Sequence, residues 1–76
     1  MIQNVSITRA NSQGSYEILV ELIKRFAEYE KLTPPGEEAK RRLIADGLSS
    51  KYEAYLAYAD GEPIGYVTVY PVYSTF

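Results

Sequence analysis

Two β-favouring runs, residues 52–59 and 63–70, meet at Asp60-Gly61-Glu62, and this junction constrains the fold more than any other stretch of the chain. Asp-Gly between such runs is a strong hairpin signal, because a tight turn that matches the strand twist needs residues that tolerate left-handed backbone. In the second run Ile64, Tyr66, Thr68 and Tyr70 share one face and Gly65, Val67 and Val69 the other. Both faces are fairly apolar, so both are expected to be covered. Pro71 ends regular pairing on at least one side, since it has no amide to donate.

Upstream, residues 4–9 alternate polar and apolar types and read as a short first strand with Val5 and Ile7 on one face. Asn11 and Ser12 are good helix N-caps, and Ile18, Leu19, Leu22, Ile23 and Phe26 then recur with helical spacing, which predicts a helix over about 12–30. Pro34-Pro35-Gly36 breaks it. A second helix is expected over 37–46, acidic at its start and stopped by Gly47. The order is β-α-α-β-β, and the expected core is Val5, Ile7, Ile18, Leu19, Leu22, Ile23, Phe26, Leu56, Val67 and Val69.

Composition narrows the chemistry. The 76 residues suffice for one small domain, and 46% apolar with 24% charged residues is an ordinary globular balance. There is no cysteine and no histidine, which removes disulfides, the common zinc ligands and nucleophilic catalysis through Cys or a Ser-His pair. A net charge of −2 disfavours a nucleic-acid partner. Lys40-Arg41-Arg42 point in different directions on a helix and read as a solvated face. No run is long enough to span a bilayer and no signal sequence is evident, so no membrane association is expected and the cytoplasm is the default location. The eight tyrosines suit a half-buried sheet and a binding face equally well.

Several stretches carry a resemblance: Ile7-Thr8-Arg9-Ala10 leading into a helix, Ala27-Glu28-Tyr29-Glu30-Lys31-Leu32 ending it, the hairpin over 58–66, and Tyr70-Pro71-Val72-Tyr73-Ser74-Thr75-Phe76 after the last strand. Together they resemble the opening half of the GCN5-related N-acetyltransferases, and among these the diamine (spermidine/spermine) acetyltransferase branch. The resemblance covers essentially the whole chain. It implies an α/β fold (an α+β mixed sheet) of which residues 1–76 form the N-terminal β-α-α-β-β part, incomplete without the coenzyme-binding half. It also implies acetyl-CoA as cosubstrate and a small-molecule primary amine, polyamine- or diamine-like, as acceptor. The family's glycine-containing pyrophosphate loop and its tyrosine acid have no counterpart among these residues, so no catalytic residue is assigned and the 76-residue chain alone is expected to be inactive.

The resemblance places substrate contacts at Tyr29 and Glu30, where a carboxylate beside an aromatic ring suits an alkylammonium; the alternative is a solvated helix end with Tyr29 on the core. Tyr70 and Tyr73 flank Pro71, where a bulge would re-aim side chains. Tyr73 is taken as a third substrate contact, and packing is preferred for Tyr70. The expected partners are the amine, the remaining half of the domain and a second copy in a homodimer. The rival reading is a non-catalytic interaction module that completes its sheet with another chain.

Overall fold

The structure, a computed structural model, describes residues 4–71. The elements follow in the order β1 (Val5–Arg9), α1 (Gln13–Tyr29), α2 (Glu37–Leu48), β2 (Glu53–Ala59) and β3 (Glu62–Val69). The three strands form one antiparallel sheet in the order β1-β2-β3. Asp60 and Gly61 make the hairpin turn with φ of 51° and 85°, the left-handed pair that a two-residue hairpin loop demands. The Asp60 amide donates to the Asn4 carbonyl (2.8 Å) and its carboxylate accepts from the Asn4 amide (3.1 Å), which ties the turn to the start of β1.

Serines set the start of α1. Ser12 is the N-cap, its Oγ accepting from the Ser15 amide at 3.2 Å while Ser15 Oγ accepts from the Ser12 amide at 2.9 Å, a reciprocal capping box. The helix closes with Leu32 N–H donating to Ala27 O (2.7 Å) and Lys31 N–H to Glu28 O (3.1 Å), Lys31 taking φ of 59°. This is a Schellman ending with lysine where glycine is usual. Helix α2 ends the same way, with Ser50 at φ of 61°.

Gly47 does not stop α2, as the sequence reading expected; the helix runs on to Leu48. Gly47 is buried because the Tyr16 ring occupies the space above it.

Ala10, Tyr16, Leu19, Leu22, Tyr52, Ala54 and Leu56 form the core, with Ile18, Ile23, Ile44, Tyr58 and Tyr66 packed around them. Leu19, Leu22 and Leu56 thus stand where the sequence put them. Val5, Ile7, Phe26, Val67 and Val69 do not: they are exposed by 62%, 69%, 53%, 57% and 46%. The register explains four of these five. Val5 and Ile7 stand opposite Ala59 and Ala57, and Val67 opposite Tyr55, so with Val69 they line the sheet face turned away from Leu56 and its helix-packed neighbours. Only one face is covered by helices within the described residues. The bare face carries the Arg9–Glu53 ion pair (3.0 Å) at one end. Phe26 instead sits on the flank of α1 facing the first residues of β3.

Two tyrosines replace those aliphatics in the core. Tyr16 and Tyr52 meet edge to face at 6.1 Å, and each hydroxyl donates to a backbone carbonyl, Tyr16 to Ala10 (3.1 Å) and Tyr52 to Leu43 (2.6 Å). Buried phenols are tolerated when their O–H is satisfied.

Candidate functional site

Where α1 ends, it runs alongside the start of β3, and between them lies a groove of about 530 Å³. Leu22, Arg25, Phe26 and Tyr29 form one wall, and Pro63, Ile64, Gly65 and Tyr66 the other. The helical wall follows from spacing: Leu22, Arg25, Phe26 and Tyr29 are related by three or four residues and share one stripe. The strand wall follows from a bulge. Ala57 pairs with Gly65 and Tyr58 with Pro63, so Ile64 is an extra residue in β3, left without a partner and 55% exposed. A bulge of this kind re-aims side chains, and here it stands in the groove wall. Pro63 is tolerated because β3 is an edge of the sheet among the described residues. The sequence reading expected a bulge at Pro71 instead.

Tyr29 is 75% exposed and lines the groove. Glu30 is the α1 C-cap, one residue beyond the groove wall and exposed. Glu28 is exposed on the same turn, and the last turn of α1 holds no basic residue. Acidic groups at this end oppose the helix dipole, whose negative pole lies here. Beside the open Tyr29 ring this end of α1 thus gathers the acids Glu28 and Glu30 together with the exposed Lys31. The one cation in the groove wall is Arg25, whose Nε lies 3.6 Å from Glu21 Oε1, both side chains being more than half exposed.

Tyr70 lies elsewhere. It stacks at 5.6 Å on Tyr52, past the other end of β3, and four residues of strand (~13 Å) separate it from Tyr66. It lines a second hollow of about 360 Å³ with Arg9, Ser50, Tyr52 and Glu53. The packing role preferred for it fits this contact. Tyr73 lies outside the described residues. Lys40 and Arg41 pair with Glu37 (3.4 Å) and Glu38 (3.3 Å) along α2, as a solvated face would.

Sequence reasoning missed Arg25, Phe26 and Ile64 as groove residues. The i,i+4 relation of Arg25 and Tyr29 was the available signal for the first. Pro63 and Gly65, which flank Ile64, were the available signal for the bulge, since proline and glycine inside a strand favour one.

Neither helix start suits a pyrophosphate. The α1 capping box uses the Ser12 and Ser15 amides internally, and α2 opens with Glu37 and Glu38, whose charge repels phosphate. Among the described residues no group of acidic side chains is placed to hold a metal ion, and no helix is long and apolar enough to cross a membrane.

Comparison with solved structures places this architecture. The chain superposes on the crystal structure of a probable acetyltransferase with a TM-score of 0.73, at 23% identity, over 92% of its own length and 47% of the other chain. It has the fold of one half of that molecule. On this chain's side the match covers the three-stranded antiparallel sheet and two helices described above. No protein-family model matches the chain, and no curated protein matches it.

Proposed function

We propose that this chain is the acceptor-binding part of a GCN5-related N-acetyltransferase domain of the diamine acetyltransferase type, which moves acetyl from acetyl-CoA to a primary amine of a small molecule. The observation that carries the reading is the fold likeness to a probable acetyltransferase over 92% of the chain, together with an open groove at Tyr29, the helix end the sequence singled out.

The division of labour follows from what these residues fit. The described residues offer no cradle for the coenzyme's phosphates, so the acetyl donor falls to the other half of the domain. This chain binds and orients the acceptor. Glu30 and Glu28, at the negative pole of α1, draw a cationic amine toward the groove mouth, and the Tyr29 ring receives its alkylammonium face. The apolar wall of Leu22, Phe26 and Ile64 takes the carbon chain. Acetyl transfer needs the amine neutral and held against the thioester, and orientation of the acceptor in the groove serves the second requirement. The bare sheet face and the free edge of β3 suit the rest of the domain, or a second chain that completes the sheet.

Acetylation of amines by the completed domain tests the reading. Glu30→Gln is expected to raise the acceptor KM severalfold with the KM for acetyl-CoA unchanged, because it removes charge and keeps size. Equal effects on both substrates reject a direct role for Glu30. Absence of transfer to any amine, with the sheet completed by another chain, favours a non-catalytic interaction module.

A further inference from the structure

β1 forms one edge of the sheet among the described residues, and all five of its residues are exposed. Its bonds to β2 fix which backbone groups are left over. Asp60 N–H donates to Asn4 O and Ala10 N–H to Ala54 O, both at 2.8 Å, and the register between them is unbroken, from Val5 opposite Ala59 to Arg9 opposite Tyr55. Bonded and non-bonded pairs alternate in an antiparallel ladder, so Asn4, Ser6, Thr8 and Ala10 turn their N–H and C=O groups to β2, and Val5, Ile7 and Arg9 turn theirs outward. Edge strands are ordinarily guarded by lysine, proline or a bulge, and β3 carries two such guards, Pro63 and the bulged Ile64. β1 carries none of them. Its one charge, Arg9, is held at 3.0 Å by Glu53, and Val5, Ile7 and Thr8 are β-branched strand formers.

We propose that β1 is a dimer edge: a second copy of this chain pairs with it antiparallel about a two-fold axis at Ile7, joining the two sheets into one. The occupant follows from self-complementarity. A two-fold centred on Ile7 sets Ile7 opposite its own counterpart and Val5 opposite Arg9, so every outward residue of β1 meets an outward residue of the other copy and exchanges both N–H···O=C bonds with it. No other centre within β1 pairs all three. On the side that carries Leu56, Ser6 stands opposite Thr8, a hydroxyl pair that favours cross-strand contact. On the bare side Ile7 meets Ile7, and the aliphatic stem of Arg9 lies over Val5 while its guanidinium stays on Glu53. The two Arg9 side chains stand at opposite ends of the pair, so like charges do not meet. The proposal is independent of the acetyltransferase reading, since it concerns the edge remote from the groove at β3. Five residues a side fall short of the ~1,200 Å² of a stable interface, so the dimer is weak, with a Kd on the order of 0.1 mM.

Sedimentation equilibrium of the 76-residue chain from about 0.01 to 1 mM tests it, together with NMR of a mixture of labelled and unlabelled chains to locate the contact. The mass is expected to climb to that of a dimer and stop there, and the mixture to show a cross-peak between Ser6 Hα of one chain and Thr8 Hα of the other. Within one chain these residues are two apart on a strand, ~7 Å, too far to give it. Ile7→Pro removes an outward N–H that β2 does not use, and Ile7→Lys sets like charges opposite each other. Both are expected to weaken association about tenfold or more while the amide spectrum of the fold is kept. Ile7→Lys leaves the backbone intact and so serves even where proline disturbs β1. Val67→Lys, on the bare face of β3, is expected to leave association unchanged. A monomer at every concentration, loss of association in Val67→Lys, its persistence in both Ile7 variants, or a mass growing beyond the dimer, as head-to-tail pairing of β1 with β3 would give, would each overturn the inference.

Discussion

The ring of Tyr16 lies against the backbone of Gly47, so closely that a Cβ on Gly47 would come within 2.7 Å of the ring's Cδ1 and Cζ. The ring cannot readily move aside, because it is 4% exposed and its hydroxyl is held by the Ala10 carbonyl. Gly47 therefore permits the approach of α2 to α1.

Gly47→Ala is expected to destabilise the chain by about 1–3 kcal/mol, as overpacking outweighs the ~1 kcal/mol by which alanine is the better helix former. Gly14→Ala is the control. A Cβ there meets only Ser12 Oγ at 4.0 Å, so the change is expected to be neutral or stabilising by up to ~1 kcal/mol. Urea denaturation of both variants checks the pair, and an equal response at the two glycines would contradict the packing account.

The Gly47 case illustrates where the sequence was legible. Element order, the Asp60-Gly61 turn, the Ser12 cap and the Leu19–Leu22 stripe all follow from local rules that act within a few residues. The helix-stop reading of Gly47 failed because glycine also serves close packing, and only the tertiary partner, Tyr16, distinguishes the two uses. Val5, Ile7, Val67 and Val69 were assigned to the core by alternation, which separates two faces of a strand without saying which face the helices cover. Tyr16 and Tyr52 were passed over because a phenol is buried only when a carbonyl waits for its hydroxyl, and Ala10 and Leu43 are brought there by the fold. At the groove, the resemblance drew notice to Tyr29 as an expected substrate contact and the structure places its side chain in the wall, whereas Arg25 and the bulged Ile64 became its neighbours only through the packing of α1 on β3.

Core and bare face should respond differently to truncation. Leu56 is 1% exposed, and Leu56→Ala is expected to cost about 2–5 kcal/mol in the 76-residue chain. Ile7 is 69% exposed, and Ile7→Ala is expected to cost under ~0.5 kcal/mol there. Denaturation midpoints decide it, and comparable losses at the two positions would show that the face bearing Ile7 is covered in the isolated chain.

Tyr52 predicts an alkaline limit to stability. Burial raises its hydroxyl pKa to about 12, with Tyr16, Tyr70 and Asp46 adding to the effect. The unfolded phenol loses its proton near pH ~10, so above that value the unfolded state binds fewer protons than the folded one. The contribution of Tyr52 is thus fully present below pH ~10 and is lost as the pH climbs to about 12. Tyr52→Phe is expected to lower stability by about 1–2 kcal/mol at neutral pH, through the unpaired Leu43 carbonyl, and to make the alkaline decline shallower. A decline of unchanged slope in the variant would assign it to other groups.

The central claim is that these residues form the acceptor side of an acetyltransferase fold and leave the coenzyme to the other half. Calorimetric titration with acetyl-CoA tests it most directly, comparing the 76-residue chain with the domain completed by its other half. The account predicts no micromolar binding by the chain alone, whose helix starts offer a self-satisfied capping box at Ser12 and a pair of acids at Glu37 and Glu38, and binding once the domain is complete. Micromolar binding by the chain alone, or none by the completed domain, would contradict it.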